Sequence, residues 1–191
     1  MTAVQAAPRI APVQPPYDDE TAAMLARWMP PGAHADPLLL FRTLAVHPEL
    51  AARMRPLGAA ILAHGTVEPR LREVMIDRTC ALCGAEYEWG VHATAFAAAV
   101  GLSDEQLAST AGGGSADGLW SDEERAVLRL AEELHRTSAV SDDLFGELRR
   151  LFDAQQILEL VVTAGWYHTI SFVIAAAAVQ REPWAMRFPP R

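Results

Sequence analysis

Glu73, Glu88 and His92 have the residue types and the spacing of a proton-transfer site. Glu88 and His92 are four residues apart, so on a helix their side chains lie on one face and reach each other. Glu73 lies on the preceding predicted helix, and a tight turn at Gly84 would fold that helix back antiparallel. Two carboxylates and an imidazole then converge, and such groups exchange protons near neutral pH. We predict catalytic roles for all three residues, and a structural polar pair is the alternative for Glu88 and His92.

The sequence also contains a Cys-x-x-Cys string formed by Cys80 and Cys83. A redox-active thiolate is favoured at the N-terminus of a helix, where the helix dipole lowers the thiol pKa. Cys80 and Cys83 instead fall in the last turn of a predicted helix, and the dipole there opposes a thiolate. The chain has no lysine to compensate, which leaves Arg78 as the neighbouring positive charge. We interpret the pair as buried apolar side chains at a helix interface, with redox activity as the alternative.

Two further residues, Tyr87 and His168, are secondary candidates for the same site. Tyr87 offers a hydroxyl, with simple packing as its alternative role. His168 lies on the last predicted helix, where a core histidine is the simpler interpretation, and His135 on an acidic helix is expected to face solvent. No set of cysteines and histidines has the sequence spacing of a zinc site. We therefore expect no metal and no cofactor.

Helix start and stop signals recur along most of the chain, and no segment alternates with the period of a β-strand. The capping boxes that begin at Ser103 and Ser121 are the sharpest of these signals. The pattern predicts an all-α protein with helices over residues 18–29, 37–47, 49–64, 69–83, 85–100, 144–152 and 154–179. Two further helices begin at the capping boxes, and the second of them includes residues 128–134.

Composition and charge exclude several classes of function. Twenty-four acidic residues oppose 16 basic ones, and the net charge of −8 argues against binding to a nucleic-acid backbone. The absence of lysine excludes Schiff-base chemistry. The first 16 residues show no signal-peptide pattern, and the apolar run near residues 170–179 is too short to cross a bilayer. We expect a cytoplasmic protein without a membrane or nucleic-acid partner.

The chain resembles the carboxymuconolactone decarboxylase family over roughly residues 38–179. The resemblance is carried by Glu73, the string Tyr87-Glu88-Trp89-x-x-His92, Ala98, Gly101 and the helix over residues 128–134. This superfamily also contains the alkylhydroperoxidase-D peroxidases. The resemblance implies an alkylhydroperoxidase-D-like helical bundle with a central antiparallel helix hairpin. The prolines near both ends and the helix signals between them predict three regions: an extended Pro-rich arm with a first helix (1–35), a carboxymuconolactone decarboxylase-like helical domain (36–181) and an extended tail (182–191).

The peroxidase branch of this superfamily has a pattern that the chain follows only in part. That pattern is Glu, eleven residues, Cys-x-x-Cys, three residues and His. Here it begins at Glu73 and ends at His92, but its two cysteine positions hold Ala85 and Glu88. The Cys-x-x-Cys of this chain lies five residues upstream, which weakens the implied peroxidase activity.

The resemblance leads to an expected lyase: a cofactor-independent decarboxylase or proton-transfer enzyme that acts on a small organic acid or lactone. The alternative is a thiol-dependent peroxidase that uses Cys80 and Cys83, and a further alternative is a non-catalytic helical partner protein. The superfamily also implies a homo-oligomer, either a trimer or a hexamer. The Pro-rich arm and the tail with Trp184 and Phe188 are both suited to contact a neighbouring subunit.

Overall fold

The computed structural model describes residues 7–29 and 36–190, which form nine α-helices and no β-strand. The predicted all-α class is confirmed. The helix stop expected at residues 30–32 lies outside the described residues. In chain order the helices are α1 (Asp19–Trp28), α2 (Leu39–Leu44), α3 (Pro48–Ala63), α4 (Pro69–Leu82), α5 (Glu86–Ala95), α6 (Asp104–Gly112), α7 (Asp122–Thr137), α8 (Asp142–Leu151) and α9 (Ala154–Ala177).

Local sequence signals account for most of the helix starts. Ser103 and Ser121 each accept a hydrogen bond from the backbone three residues on, and the glutamine or glutamate at that position bonds back to the serine N–H. The Ser141 side chain caps α8 by accepting a hydrogen bond from the N–H of Leu144. The predicted capping boxes are therefore confirmed.

One predicted helix is wrong in its length, because α5 ends at Ala95 rather than at residue 100. Phe96 has a φ of −122°, which leaves the helical region. The following residues form turns that end at Gly101, whose φ of +71° favours glycine. The Phe96 ring lies 5.1 Å from the ring of His92, so packing overrides the helix propensity of the alanines that follow.

The chain divides into two units. The first comprises Met1–His64 with Val173–Pro183, and its described part holds α1 to α3 and the end of α9. The Pro-rich arm lies within this unit, because the N–H groups of Arg9 and Ile10 donate to the Ala177 carbonyl and that of Val13 donates to the Arg42 carbonyl. The arm thus contacts its own subunit. The domain boundaries expected after residues 35 and 181 stay predictions.

The second unit comprises Gly65–Phe172 with Trp184–Arg191, and α4 is its central helix. Val74, Met75 and Ile76 are completely buried where α4 packs against its neighbours. The helix ends at Leu82, and the turn after it is closed by the Ala85 N–H, which bonds to the Cys80 carbonyl at 2.9 Å. Gly84 has a φ of +66°, the left-handed conformation that such a C-terminal cap requires. The tight turn predicted at Gly84 is confirmed.

The last helix, α9, is longer than the apolar run from which we expected no membrane span. Its 24 residues are long and apolar enough to cross a bilayer by length and composition. Half of its most apolar stretch of 18 residues is buried inside the protein, as in the core helices of many proteins without a membrane. Length alone is therefore weak evidence for a span.

The C-terminal tail lies against α5 in the second unit. The Met186 N–H donates to the Thr94 hydroxyl at 2.9 Å, and the Phe188 ring lies 5.2 Å from that of Trp89. A Cβ atom at Gly90 would overlap the Met186 carbonyl, so only glycine permits this close approach. Phe188, which we expected to suit a neighbouring subunit, contacts its own chain.

Candidate functional site

His92 lies at the centre of a buried polar arrangement in the second unit. Its Nδ1 is 2.7 Å from Oε2 of Glu73, which projects from α4. The other Glu73 oxygen accepts a hydrogen bond from Nε of Arg72 at 3.3 Å. His92 is 4% exposed and Glu73 is 1% exposed, so this bond is shielded from water. The structure thus brings together two of the three residues that the sequence singles out.

On its other side, His92 faces Tyr167 and Glu88. The Tyr167 hydroxyl, from α9, lies 3.1 Å from His92 Nε2, and the two rings meet edge to face. Oε1 of Glu88 is 3.7 Å from the same nitrogen, which is within ion-pair range but beyond a hydrogen bond. We call Glu73, Glu88, His92 and Tyr167 the His92 cluster.

The two carboxylates lie at different distances from the ring. Glu73 forms the short hydrogen bond to His92, whereas Glu88 does not. Oε2 of Glu88 is buried and has no hydrogen-bond partner among the described residues. A buried carboxyl oxygen without a partner is costly, and such an atom is often one that meets a ligand.

The pKa values in this region shift in directions that favour proton donation. Burial alone lowers the pKa of His92, but the charge and hydrogen bond of Glu73, with the charges of Glu88 and Asp77, raise it above its ordinary value. Burial raises the pKa of Glu88, against the opposing effect of His92. Burial also raises the pKa of Asp77, the neighbouring acid on α4, well above its usual range. Burial therefore favours the neutral form of Glu88 and Asp77, while Glu73 favours the protonated imidazole of His92.

Tyr167 is the member of the cluster that the sequence analysis missed. Burial, followed by the charges of Glu88 and Glu73, raises the pKa of its phenol well above its ordinary value, so the hydroxyl keeps its proton. Tyr167 lies 75 residues from His92 in the chain. The one available signal was its position beside His168 in an aromatic string.

The two cysteines lie where the sequence predicts, at the end of α4. Cys80 is buried in the last turn and Cys83 is the half-buried C-cap, and both are free thiols. Burial raises the pKa of both thiols, and the Glu88 charge adds to this effect at Cys80. Arg78 does not compensate, because its guanidinium binds Glu132 and two backbone carbonyls. The environment of the thiols therefore opposes a thiolate.

The secondary candidates Tyr87 and His168 lie on α5 and α9. Tyr87 is buried on α5, with 2% exposure. His168 does not face His92, since its Nε2 lies 3.1 Å from Nδ1 of His135. His135 is exposed, as expected, but it also contacts Cys83.

Fold and site together define an all-α protein with a buried Glu–His–Tyr arrangement. The model of the carboxymuconolactone decarboxylase family matches residues 48–133. This match confirms the resemblance to the family that the sequence shows, over slightly less than half of the chain. A comparison with proteins of curated function finds no match.

Several solved structures share this fold. An uncharacterized peroxidase-related protein from Silicibacter sp. TM1040 has a TM-score of 0.80 and 15% identity, covering 99% of this chain and 100% of that one. A cysteine-to-alanine variant of the debrominase Bmp8, in complex with 2,3,4-tribromopyrrole, has a TM-score of 0.75 and 16% identity over 92% of each chain. An uncharacterized peroxidase-related protein from Ralstonia eutropha JMP134, an alkylhydroperoxidase AhpD core, has a TM-score of 0.69 and 14% identity, covering 95% of this chain and 98% of that one. At these identities the likeness establishes the fold alone.

Proposed function

We propose that the chain is a cofactor-independent lyase that decarboxylates a small organic acid or lactone by proton transfer at His92. The observation that carries this proposal is the position of the imidazole, held between Glu73 at 2.7 Å and Tyr167 at 3.1 Å inside the protein. A general acid works best when its pKa lies near the working pH. The raised pKa of His92 favours its imidazolium form.

Each group in the His92 cluster has a place in the reaction. Decarboxylation breaks the bond between carbon and carboxylate, CO₂ leaves, and the electron pair moves into a neighbouring carbonyl as an enolate. The Tyr167 hydroxyl hydrogen-bonds the enolate oxygen, and His92 donates its Nε2 proton to the carbon. Glu73 stabilises the imidazolium before transfer and holds the neutral ring by its Nδ1–H afterwards. Solvent then restores the proton.

Glu88 is assigned to substrate binding. Burial keeps this carboxyl protonated more readily than an exposed one, and a neutral acid does not repel a substrate carboxylate. Its Oε2, which has no partner within the described structure, is the atom available to the substrate. The same groups would also support isomerisation or hydration. Assays with several substrates distinguish these reactions from decarboxylation.

Two alternatives are outcomes of the same tests. A thiol peroxidase using Cys80 and Cys83 has less support, because burial raises the pKa of both thiols. A non-catalytic partner protein would follow if no ligand reaches His92, which is 4% exposed. An open groove of about 500 Å³ lies beside α6, lined by residues that include Ser109 and Asp117, rather than at His92.

The proposal is tested with β-keto acids and carboxylated lactones in deuterated water. CO₂ release and deuterium at the carbon that loses the carboxylate are measured by NMR. We expect at least one compound to react, and His92→Gln to slow it by about 10²–10⁴-fold. His64→Gln, at an exposed histidine that ends α3, is the matched control. The proposal would be contradicted if the chain turned over hydrogen peroxide but none of the acids, or if His92→Gln left the rate unchanged.

We also propose that the chain forms a homo-oligomer, a trimer or a hexamer. Leu158 and Phe172 on α9 are 64% and 65% exposed. They are 14 residues apart on nearly one face of the helix, and large apolar side chains on one face favour association. Sedimentation at micromolar concentration should give a mass well above the 20.8 kDa of one chain. A monomer mass would contradict this.

A further inference from the structure

Three side chains of types that can bind a metal lie close together, and none of them belongs to the His92 cluster. Cys83 caps α4, His135 lies in the last turn of α7, and His168 projects from α9. Sγ of Cys83, a ring nitrogen of His135 and one of His168 all lie within 4.8 Å of one another. We call these three residues the Cys83 cluster. We propose that it binds one zinc ion through Sγ of Cys83, Nδ1 of His135 and Nε2 of His168.

The distances are close to those that zinc requires. Zinc bonds to nitrogen at about 2.0–2.1 Å and to sulfur at about 2.3 Å in a tetrahedral arrangement, which places two nitrogens about 3.3 Å apart and nitrogen and sulfur about 3.5 Å apart. Here Nδ1 of His135 is 3.1 Å from Nε2 of His168 and 3.9 Å from Sγ of Cys83. The third pair, Sγ of Cys83 and a ring nitrogen of His168, lies within 4.8 Å, so movement of these side chains toward the ion completes the geometry.

The orientation of His168 is a second, independent feature of metal sites. Its Nδ1 lies 2.9 Å from the backbone carbonyl of Ala164, to which it donates a hydrogen bond. This bond places the proton on Nδ1 and leaves the lone pair of Nε2 directed into the cluster. Metal-binding histidines are commonly fixed by such a bond from their second ring nitrogen.

The positive charge near the cluster is balanced. Arg78 binds Glu132, with 2.8 Å between Nη2 and Oε1. Binding requires the Cys83 thiol to release its proton to solvent, so that a thiolate and two neutral imidazoles hold the ion.

The cluster is accessible and leaves one coordination position open. His135 is exposed, and Cys83 and His168 are half-buried, so an ion can enter from solvent. Three protein ligands leave the fourth tetrahedral position to water, as in zinc sites that exchange a ligand. Sulfur and nitrogen ligands select zinc over magnesium or calcium, which require oxygen.

The test is a metal titration of the full chain after treatment with a chelator. We expect one equivalent of Zn²⁺ to bind by calorimetry and to raise the Tm. Co²⁺ should give the intense visible bands of a tetrahedral site and a thiolate-to-cobalt charge-transfer band. Cys83→Ser, His135→Ala and His168→Ala should each weaken zinc binding by at least the roughly 10–100-fold lost when an outer-shell partner of a ligand is removed.

Two matched variants serve as controls. Because His135 is exposed, its substitution is not expected to prevent folding. Cys80→Ser removes the neighbouring thiol and His64→Ala removes a distant exposed histidine, and both should bind zinc as the unmodified chain does. His135→Ala lies on the surface and is expected to fold, which its circular dichroism checks. Absence of zinc binding overturns the proposal, as does a His135→Ala variant of unchanged affinity or a cobalt spectrum without a thiolate band. Uptake of copper without zinc overturns the assignment to zinc.

Discussion

The His92 cluster and the Cys83 cluster share α4 and α9 but differ in access to water, and α5 contributes only to the first and α7 only to the second. Tyr167 and His168 are consecutive on α9, and successive helical residues point about 100° apart. Tyr167 contacts His92, whereas His168 contacts His135. One helix therefore contributes to a buried site and to a half-exposed one through adjacent residues.

Neighbouring charges shift the pKa values of two histidines, His92 and His135, in opposite directions. Burial alone lowers the pKa of both His92 and His135. Around His92 the acids Glu73, Glu88 and Asp77 reverse that effect and raise the pKa. Around His135 the charges of His168 and Arg78 act in the same direction as burial. The first histidine is suited to donate a proton and the second to bind a metal as a neutral ligand.

The largest difference in rate is expected from Tyr167, which belongs to the His92 cluster and not to the Cys83 cluster. Tyr167→Phe removes the hydroxyl beside His92 Nε2, and we expect the rate of the proposed reaction to fall by about 10²–10³-fold, as for loss of one oxyanion donor. Tyr17→Phe, at a half-buried tyrosine of the first unit, is the matched control and should keep most of the rate. Steady-state kinetics of both variants decide. An equal loss of rate in the two variants would contradict a specific role of Tyr167.

The two glutamates of the His92 cluster should differ in effect. Glu73→Gln removes the charge and keeps a hydrogen-bond acceptor for Nδ1, so the pKa of His92 falls and the alkaline limb of the pH–rate profile moves to lower pH. The rate above that limb should drop on the order of 10²-fold. Glu88→Gln should shift the limb less, since Glu88 lies 3.7 Å from the ring. Two profiles that overlay that of the unmodified chain would exclude both roles.

The two histidines should change the pH dependence of stability in opposite directions. The pKa of folded His92 is raised, so its contribution is complete below its ordinary value of 6.5 and is lost as pH rises through the raised pKa. The pKa of folded His135 is lowered, so its contribution is present above 6.5 and is lost as pH falls through the lowered pKa. Urea unfolding of His92→Gln and His135→Gln across this pH range measures both slopes. Slopes of the same sign would refute the comparison.

A smaller effect is expected from the tail that covers α5, the helix of His92. Gly90→Ala places a methyl group against the Met186 carbonyl and should cost about 1–3 kcal/mol of unfolding free energy, as overpacking does. Gly146→Ala on α8 meets no atom within 4 Å and should stabilise by about 0.5–1 kcal/mol. Thermal unfolding compares them. Zinc affinity at the Cys83 cluster should be unchanged in Gly90→Ala, and its loss there would show that the two regions are coupled.

The part of the site that the sequence predicts is the part encoded locally. Glu88 and His92 share a helix face, and Glu73 is separated from them by one turn at a glycine. Helix periodicity and capping were therefore sufficient to place all three. The same signals predict the all-α class and most helix boundaries, since caps act within a few residues.

The remainder depends on contacts between distant segments. Cys83 and His135 are 52 residues apart and His135 and His168 are 33 apart, so no spacing typical of a zinc motif exists. Tyr167 reaches His92 from a third helix. The early end of α5 likewise follows from packing at Phe96, where the alanines that follow predict a longer helix.

The most direct test of the account measures proton-transfer rate and zinc stoichiometry on the same two proteins. His92→Ala should lose about 10²–10⁴-fold in rate and still bind one equivalent of zinc. The double variant Cys80→Ser, Cys83→Ser should keep a near-normal rate and lose the zinc. A fully active His92→Ala protein beside an inactive double cysteine variant would contradict the account.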